Sequence, residues 1–109
     1  MTDVASSPSE TTDLDAVIDE EITATDVKAL SAFGYETRYR LVRLLVEADG
    51  GLNFDEITPY VSVSDSAVSH ALTLLSDAGL VRKEKDGRSR RYTPTRRAEA
   101  LVTALDGTR

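Results

Sequence analysis

Four short, uncharged side chains carry the most suggestive chemistry in this sequence: Ser66, Ser69, His70 and Thr73. They fall on one side of a helical period whose other side holds Val68, Ala71, Leu72 and Leu75 at i, i+3, i+4 and i+7. An ordinary surface helix would place long charged residues opposite such an apolar stripe. Short donors and acceptors suit a surface that must come close to its partner, such as the base edges of a DNA major groove. Other chemistries find little support. There is no nucleophile–base constellation, no glycine loop that could cradle phosphate, and a single histidine. With no cysteine, disulfides, thiolate metal sites and thiol redox switches are excluded. No cofactor is called for, and an enzyme is the least favoured class.

The elements around this stretch must hold it. Ser64 is placed as an N-cap, with Asp65 in the first turn complementing the helix dipole, and Ala78-Gly79 supplies a C-terminal stop. Upstream, Glu36 to Ala48 reads as a helix with Leu41, Leu44, Leu45 and Ala48 on one face, ended by Asp49-Gly50-Gly51. Leu52-Asn53-Phe54 allows one turn of strand, and Asp55 to Tyr60 reads as a short helix with Ile57 facing in. Downstream, Leu80–Lys85 and Arg88–Thr93 flank Asp86-Gly87, a two-residue hairpin signal. Pro94 suits the first turn of a last helix bearing Ala98, Leu101, Val102 and Leu105 on one side.

At the other end, Leu14, Val17, Ile18 and Ile22, then Val27, Leu30 and Phe33, have helical spacing up to Gly34. Because Thr23, Ala24 and Thr25 interrupt them, the spacing allows one helix with a weak middle or a short helix before the main one. Residues 1–12 are polar and aperiodic, and a disordered tail is expected there. The rest, residues 13–109, reads as one domain, whose small core a dimer interface would help to stabilise. No apolar run approaches the length of a membrane span, and the N-terminus lacks the layout of a secretion signal. A soluble, cytoplasmic protein is expected.

The formal net charge of −6 looks wrong for a DNA binder until its distribution is read. Residues 1–33 hold eight acids against Lys28 alone. Arg82 to Arg97 holds eight bases against Glu84 and Asp86, a local +6. An acidic composition with only three lysines is also compatible with a salt-adapted cell, although an acidic tail alone would produce much the same figure.

Two helices joined by a short turn, the second with a polar face, make a helix-turn-helix, and the basic hairpin after it makes a wing whose arginines can neutralise phosphates or insert into the minor groove. The fold class expected is mainly α with a small β-hairpin, a winged helix-turn-helix. The helix-turn-helix spans about 55–78 and the wing about 80–93.

Three segments also resemble the ArsR/SmtB family of winged-helix repressors: Thr37 to Leu45, Val63 to Leu72, and Leu75 to Val81. The most specific part is the Ser-x-Ser-x-Val-Ser-His-x-Leu run from Ser64 with the Leu-x-x-Ala-Gly-Leu-Val run that follows it. The resemblance covers about residues 25–105. It implies a homodimer joined through the first and last helices, here about 14–33 and 94–106. It also implies two recognition helices on a palindromic operator in double-stranded DNA, and repression relieved by a ligand. Two departures stand out. Asn53 and Asp55 occupy the positions of the Cys-x-Cys pair found in soft-metal sensors, and the last helix, Arg96 to Asp106, has no His for a zinc site. No metal site is expected, and the effector is left unnamed.

The candidate DNA-contacting set is Ser64, Ser66, Ala67, Ser69, His70 and Thr73 from the helix, with Arg88 and Arg90 from the hairpin. Each has a plainer alternative. The helix residues could be solvated positions, and the two arginines a solubilising strand edge. Arg38, Arg40 and Arg43 are weaker candidates, since Glu36 and Glu47 could pair with them. Tyr92 is better read as packed on the wing. Asn53, Asp55 and Glu56 could bind a hard cation, but an acid-rich helix start is the commoner cause. A winged helix serving protein interaction without DNA is the competing function.

Overall fold

Asp19 opens the first full helix: its backbone leaves helical geometry (ψ 131°) and its carboxylate accepts the Ile22 N–H at 3.0 Å. The computed structural model describes Leu14 and residues 17–109, so the expected tail at 1–12 lies outside the described residues. Leu14 and Val17 are helical, Ile18 is in a turn, and α1 (Glu20–Phe33) begins beyond the Asp19 cap. The interruption therefore precedes the main helix. Thr23 and Thr25 sit inside it, their hydroxyls donating to Asp19 O at 2.7 Å and Glu21 O at 2.9 Å. Gly34 ends the helix as its C-cap.

Helix α2 (Glu36–Glu47) buries Leu41, Val42 and Leu45, while Leu44 and Ala48 are only half-buried. The expected apolar face is thus rotated toward Val42. The reason is that α2 runs through the middle of the molecule, touching α1, the later helices and the sheet, so a single stripe underestimates what it buries. Arg38 secures the α1–α2 corner, its Nε donating to Ala32 O at 2.7 Å and its guanidinium lying 4.1 Å from the Tyr35 ring centroid.

Leu52–Asn53 forms β1, followed by α3 (Phe54–Ile57) and a 3₁₀ turn (Thr58–Tyr60). The short helix starts one residue earlier than expected and tightens at Thr58, where Pro59 removes an N–H from the ladder. Asn53 and Glu56 form a reciprocal capping box: Asn53 Oδ1 accepts the Glu56 N–H and Glu56 Oε1 accepts the Asn53 N–H, both at 2.9 Å. These two side chains serve the helix start.

Helix α4 (Asp65–Asp77), strand β2 (Val81–Asp86), strand β3 (Ser89–Pro94) and helix α5 (Arg96–Gly107) complete the fold. The sheet is antiparallel in the order β1-β3-β2, with Leu52 opposite Tyr92 and Val81 opposite Pro94. Three strands therefore stand where a hairpin was expected. The hairpin turn also differs. Asp86 pairs with Ser89, so the two-residue loop is Gly87-Arg88, one residue later than the Asp86-Gly87 expected. Gly87 takes the left-handed φ of 65° that such a turn demands. Pro94 ends β3 and does not start the last helix; Thr95 is the N-cap of α5, its hydroxyl accepting the Ala98 N–H at 3.2 Å.

One core joins these elements: Phe33, Leu41, Leu45, Ile57, Val68, Leu72, Leu75, Leu80, Val81 and Val102 are all buried. The four apolar positions read on the central helix, Val68, Ala71, Leu72 and Leu75, are all inside. By contrast Ile22, Val27 and Leu30 of α1 are more than half exposed. The architecture is a winged helix-turn-helix, mainly helical with a small sheet. Among the described residues no helix is long and apolar enough to cross a membrane.

Candidate nucleic-acid interface

Helix α4 presents its polar side because its apolar side is fully committed. With Val68 and Leu75 at zero exposure, the helix has one possible orientation, and Ser66, Ala67, Ser69, His70 and Thr73 all face solvent. Both ends are fixed. Ser64 Oγ accepts the Ala67 N–H at 3.1 Å, and Ser64 O accepts the Val68 N–H at 3.0 Å. At the other end Gly79, with φ 75°, lets the Leu80 N–H reach Leu75 O at 2.9 Å, while Leu80 plugs the core.

A residue that sequence reasoning missed strengthens this end. Thr95 Oγ1 donates to Gly79 O at 2.8 Å while accepting from Ala98, and the Thr95 N–H reaches Leu80 O at 3.1 Å. One threonine thus joins the exit of α4 to the start of α5. Its position after Pro94, followed by Glu99, was the available signal for an N-cap.

The exposed set is not uniform. The Ser64 hydroxyl is occupied by its capping bond, and the Thr73 hydroxyl donates to Ser69 O at 3.1 Å, leaving its lone pairs outward. Among the described residues, the side chains of Ser66, Ser69 and His70 make no hydrogen bond. From Ser66 to Thr73 the outer side chains of α4 are uncharged, and among the described residues they bond to nothing outside the helix, which allows close approach without displacing an existing partner.

The hairpin beside it divides by strand parity. Lys83, Lys85 and Arg90 project from the face that nearer its base holds buried Val81 and half-buried Tyr92. Tyr92 packs against the core, as its expected place on the wing requires. Arg88 sits in the turn itself, not on a flanking strand as expected. Among the described residues neither Arg88 nor Arg90 has a carboxylate partner, whereas Arg91, on the opposite face, is bonded to Asp86 at 3.2 Å. Arg97 is likewise paired, with Asp26 at 3.6 Å. The local charge of +6 therefore overstates the cations available to a ligand.

The arginines of α2 have internal work. Arg40 meets Glu36 at 3.0 Å, and Arg43 meets Asp106 at 2.6 Å and Glu47 at 3.9 Å. The Arg43–Asp106 pair ties α2 to the end of α5, with Arg109 adding a second bond to Asp106 at 2.8 Å. These hydrogen bonds hold the Asp106 carboxyl below the usual carboxylate range and raise Arg43 above its ordinary value.

The family model described as bacterial regulatory protein, arsR family, matches residues 35–83, from the start of α2 into β2. A Halobacterium salinarum protein named as an arsenical resistance operon repressor is 44% identical over 107 residues, covering 98% of this chain and 83% of its own. A second such repressor from the same organism is 45% identical over 92 residues, covering 84% and 77%. Among solved structures, HlyU from Vibrio cholerae superposes with a TM-score of 0.72 at 27% identity, over 83% of this chain and 97% of that one. A protein described as a possible transcriptional regulator for arsenical resistance gives 0.61 at 34% identity, over 74% and 82%. The Halobacterium relatives accord with the acidic, lysine-poor composition.

Proposed function

The chain belongs to the arsR family of bacterial regulatory proteins, and from that premise we propose that it works as a homodimeric repressor on a palindromic operator. It is a transcriptional regulator with a DNA-binding helix-turn-helix. In the finer reading, Ser66, Ala67, Ser69, His70 and Thr73 line the major groove, Arg88 and Arg90 hold flanking phosphates, and Ser64 serves as the cap that aims the helix. The observation that carries this is the juxtaposition of an exposed, uncharged α4 face with the wing cations Arg88 and Arg90, which among the described residues lack carboxylate partners. Such a pair separates the two tasks of a DNA reader, since phosphate contacts position and base contacts specify. The protein acts in the cytoplasm, with no catalytic step of its own.

The dimer is supported by the apolar surface left uncovered on α1. Leu30 shares a groove of about 250 Å³ with Ala29 and Leu101 of α5, bordered by Asp26 and Arg97. Ile22 and Val27 add further exposed apolar area. A second copy laid on this side would bury it and give two α4 helices for two half-sites, spaced about 34–36 Å apart on one face of DNA.

The relatives' names carry arsenical resistance, and that portion fits this chain poorly. Arsenite is held by thiolates, and the sequence has no cysteine. Asn53, at one of the two relevant positions, is occupied in capping α3. The regulator reading transfers, while the inducer is of another chemistry.

The test is fluorescence anisotropy on duplexes that the wild-type protein selects from a random pool. The expected result is a palindromic site bound with a steep loss of affinity as salt rises. His70→Ala combined with Arg88→Ala should weaken it by about tenfold or more. Unchanged affinity in that double variant would remove the proposed contacts.

A further inference from the structure

Of the hairpin's cations, Arg91 is the one fully engaged with the described part of the protein. Its Nε donates to Asp86 Oδ2 at 3.2 Å, and its Nη1 donates to both Gly50 O at 3.0 Å and Gly51 O at 2.8 Å. Asp86 is the last residue of β2, beside the wing turn, and Gly50-Gly51 is the loop leaving α2. One guanidinium therefore spans from the outer end of the wing to the body of the domain.

The loop is built to receive it. Gly50 and Gly51 take consecutive left-handed φ values of 86° and 83°, which turn both carbonyls toward one Nη1. Gly51 also lies flat on β3: a Cβ there would stand 2.7 Å from Tyr92 O and 3.1 Å from Arg91 Cγ. Helix α2 has no basic residue in its own last turn, and the Arg91 charge arrives just beyond that end, where the helix dipole favours a cation. Since α2 packs against α4, a wing tied to the α2 exit is tied to the frame of the reading helix.

We propose that Arg91 is a positioning residue that sets the wing against α4, so that Arg88 and Arg90 reach phosphate while Arg91 does not. The inference rests on the DNA-binding reading for its consequence, though the tether itself can be tested without DNA. A rigid guanidinium with several donors in a fixed plane suits this task, and a lysine ammonium could not reproduce the span. The competing role is an ordinary phosphate-contacting arginine temporarily paired with Asp86. The two roles differ in the salt slope. If Arg91 bound phosphate, Arg91→Ala would lower the slope by about one; if Arg91 is a strut, the slope is unaltered while binding weakens.

The experiment has two arms. In the free protein, amide hydrogen exchange across the β2–β3 ladder from Glu84 to Arg91 should quicken about three- to tenfold in both Arg91→Ala and Asp86→Asn, as expected for loss of charge-assisted bonds at a partly exposed site. On the selected duplex, Arg91→Ala should lower affinity by a similar factor with an unaltered salt slope, whereas Arg88→Ala should reduce that slope by about one. Arg91→Lys should fail to restore affinity. Unchanged exchange, a slope loss in Arg91→Ala, or full rescue by lysine would each overturn the proposal. If the wild-type protein selects no duplex, the functional reading fails and the exchange arm alone decides the tether.

Discussion

Gly51→Ala is expected to be among the most damaging single-methyl additions to this fold, and its magnitude can be worked from two contributions. The first is conformational. A φ of 83° costs an L-residue about 1–2 kcal/mol. The second is steric. The new Cβ would lie 2.6 Å from Thr93 Cγ2 and 2.7 Å from Tyr92 O. The threonine methyl can shift slightly, but the Tyr92 carbonyl belongs to the central strand opposite Leu52, so relief requires moving backbone. Overpacking of that kind costs about 1–3 kcal/mol. The combined loss is about 3 kcal/mol. Gly79→Ala supplies the control, since its φ of 75° is similar but nothing lies within 4 Å of the added methyl. It should lose only the conformational part, about 1–2 kcal/mol. Urea unfolding of both variants at one protein concentration, checked by thermal melts, measures the difference, with about 4–8 °C of Tm per kcal/mol for a domain of this size. Equal losses in the two variants would refute the close packing of the glycine loop on β3.

Three further outcomes test other parts of the account. Ser64→Ala removes the α4 cap and should cost about 1 kcal/mol in the same unfolding assay, while Ser64→Asp should retain most of the stability. The Arg43–Asp106–Arg109 cluster gives an acid limb. The folded-state pKa of Asp106 is depressed, so its contribution is complete above the ordinary aspartate range near about pH 4 and is lost as pH falls through the folded value. Asp106→Asn should therefore flatten that limb of a Tm-versus-pH curve, and an unaltered limb would deny the cluster its role. Leu30→Glu, at a residue more than half exposed, should shift the protein from dimer to monomer in sedimentation equilibrium with its helical signal retained; a wild-type monomer would dismiss this interface.

Much of the architecture was legible because amphipathic period and capping chemistry are local. Val68, Ala71, Leu72 and Leu75 announced the buried side of α4, and the polar side followed from it. Ser64 and Gly79 marked its ends by residue type alone. Long-range pairing was harder. Leu52-Asn53 is a strand only because Tyr92 and Arg91 stand opposite, and two residues carry no period of their own. The hairpin turn was displaced by one residue because both Asp86-Gly87 and Gly87-Arg88 fit a two-residue loop. The observed register, with Lys83 opposite Tyr92, and the alternative, which would set Val81 opposite Tyr92, keep Val81 and Tyr92 on one face alike, so the apolar pattern does not choose between them. Arg90 and Arg91 show the same limit at the site. In sequence they are adjacent cations, and only strand parity separates a guanidinium on one face from one bound to Gly50, Gly51 and Asp86 on the other. Ile22 and Leu30 look like core in a helical period, yet they face outward, which a single chain's pattern has no means to distinguish.

The central claim is that the exposed face of α4 reads bases while the wing holds phosphates. Its most direct test is to measure His70→Ala and Arg88→Ala against a panel of duplexes in which each base pair of the selected half-site is changed in turn. The account predicts that His70→Ala loses about 1–3 kcal/mol on the selected site and loses discrimination at one or two adjacent positions, whereas Arg88→Ala weakens every duplex alike. Uniform weakening by His70→Ala, with the pattern of base preference intact, would contradict it.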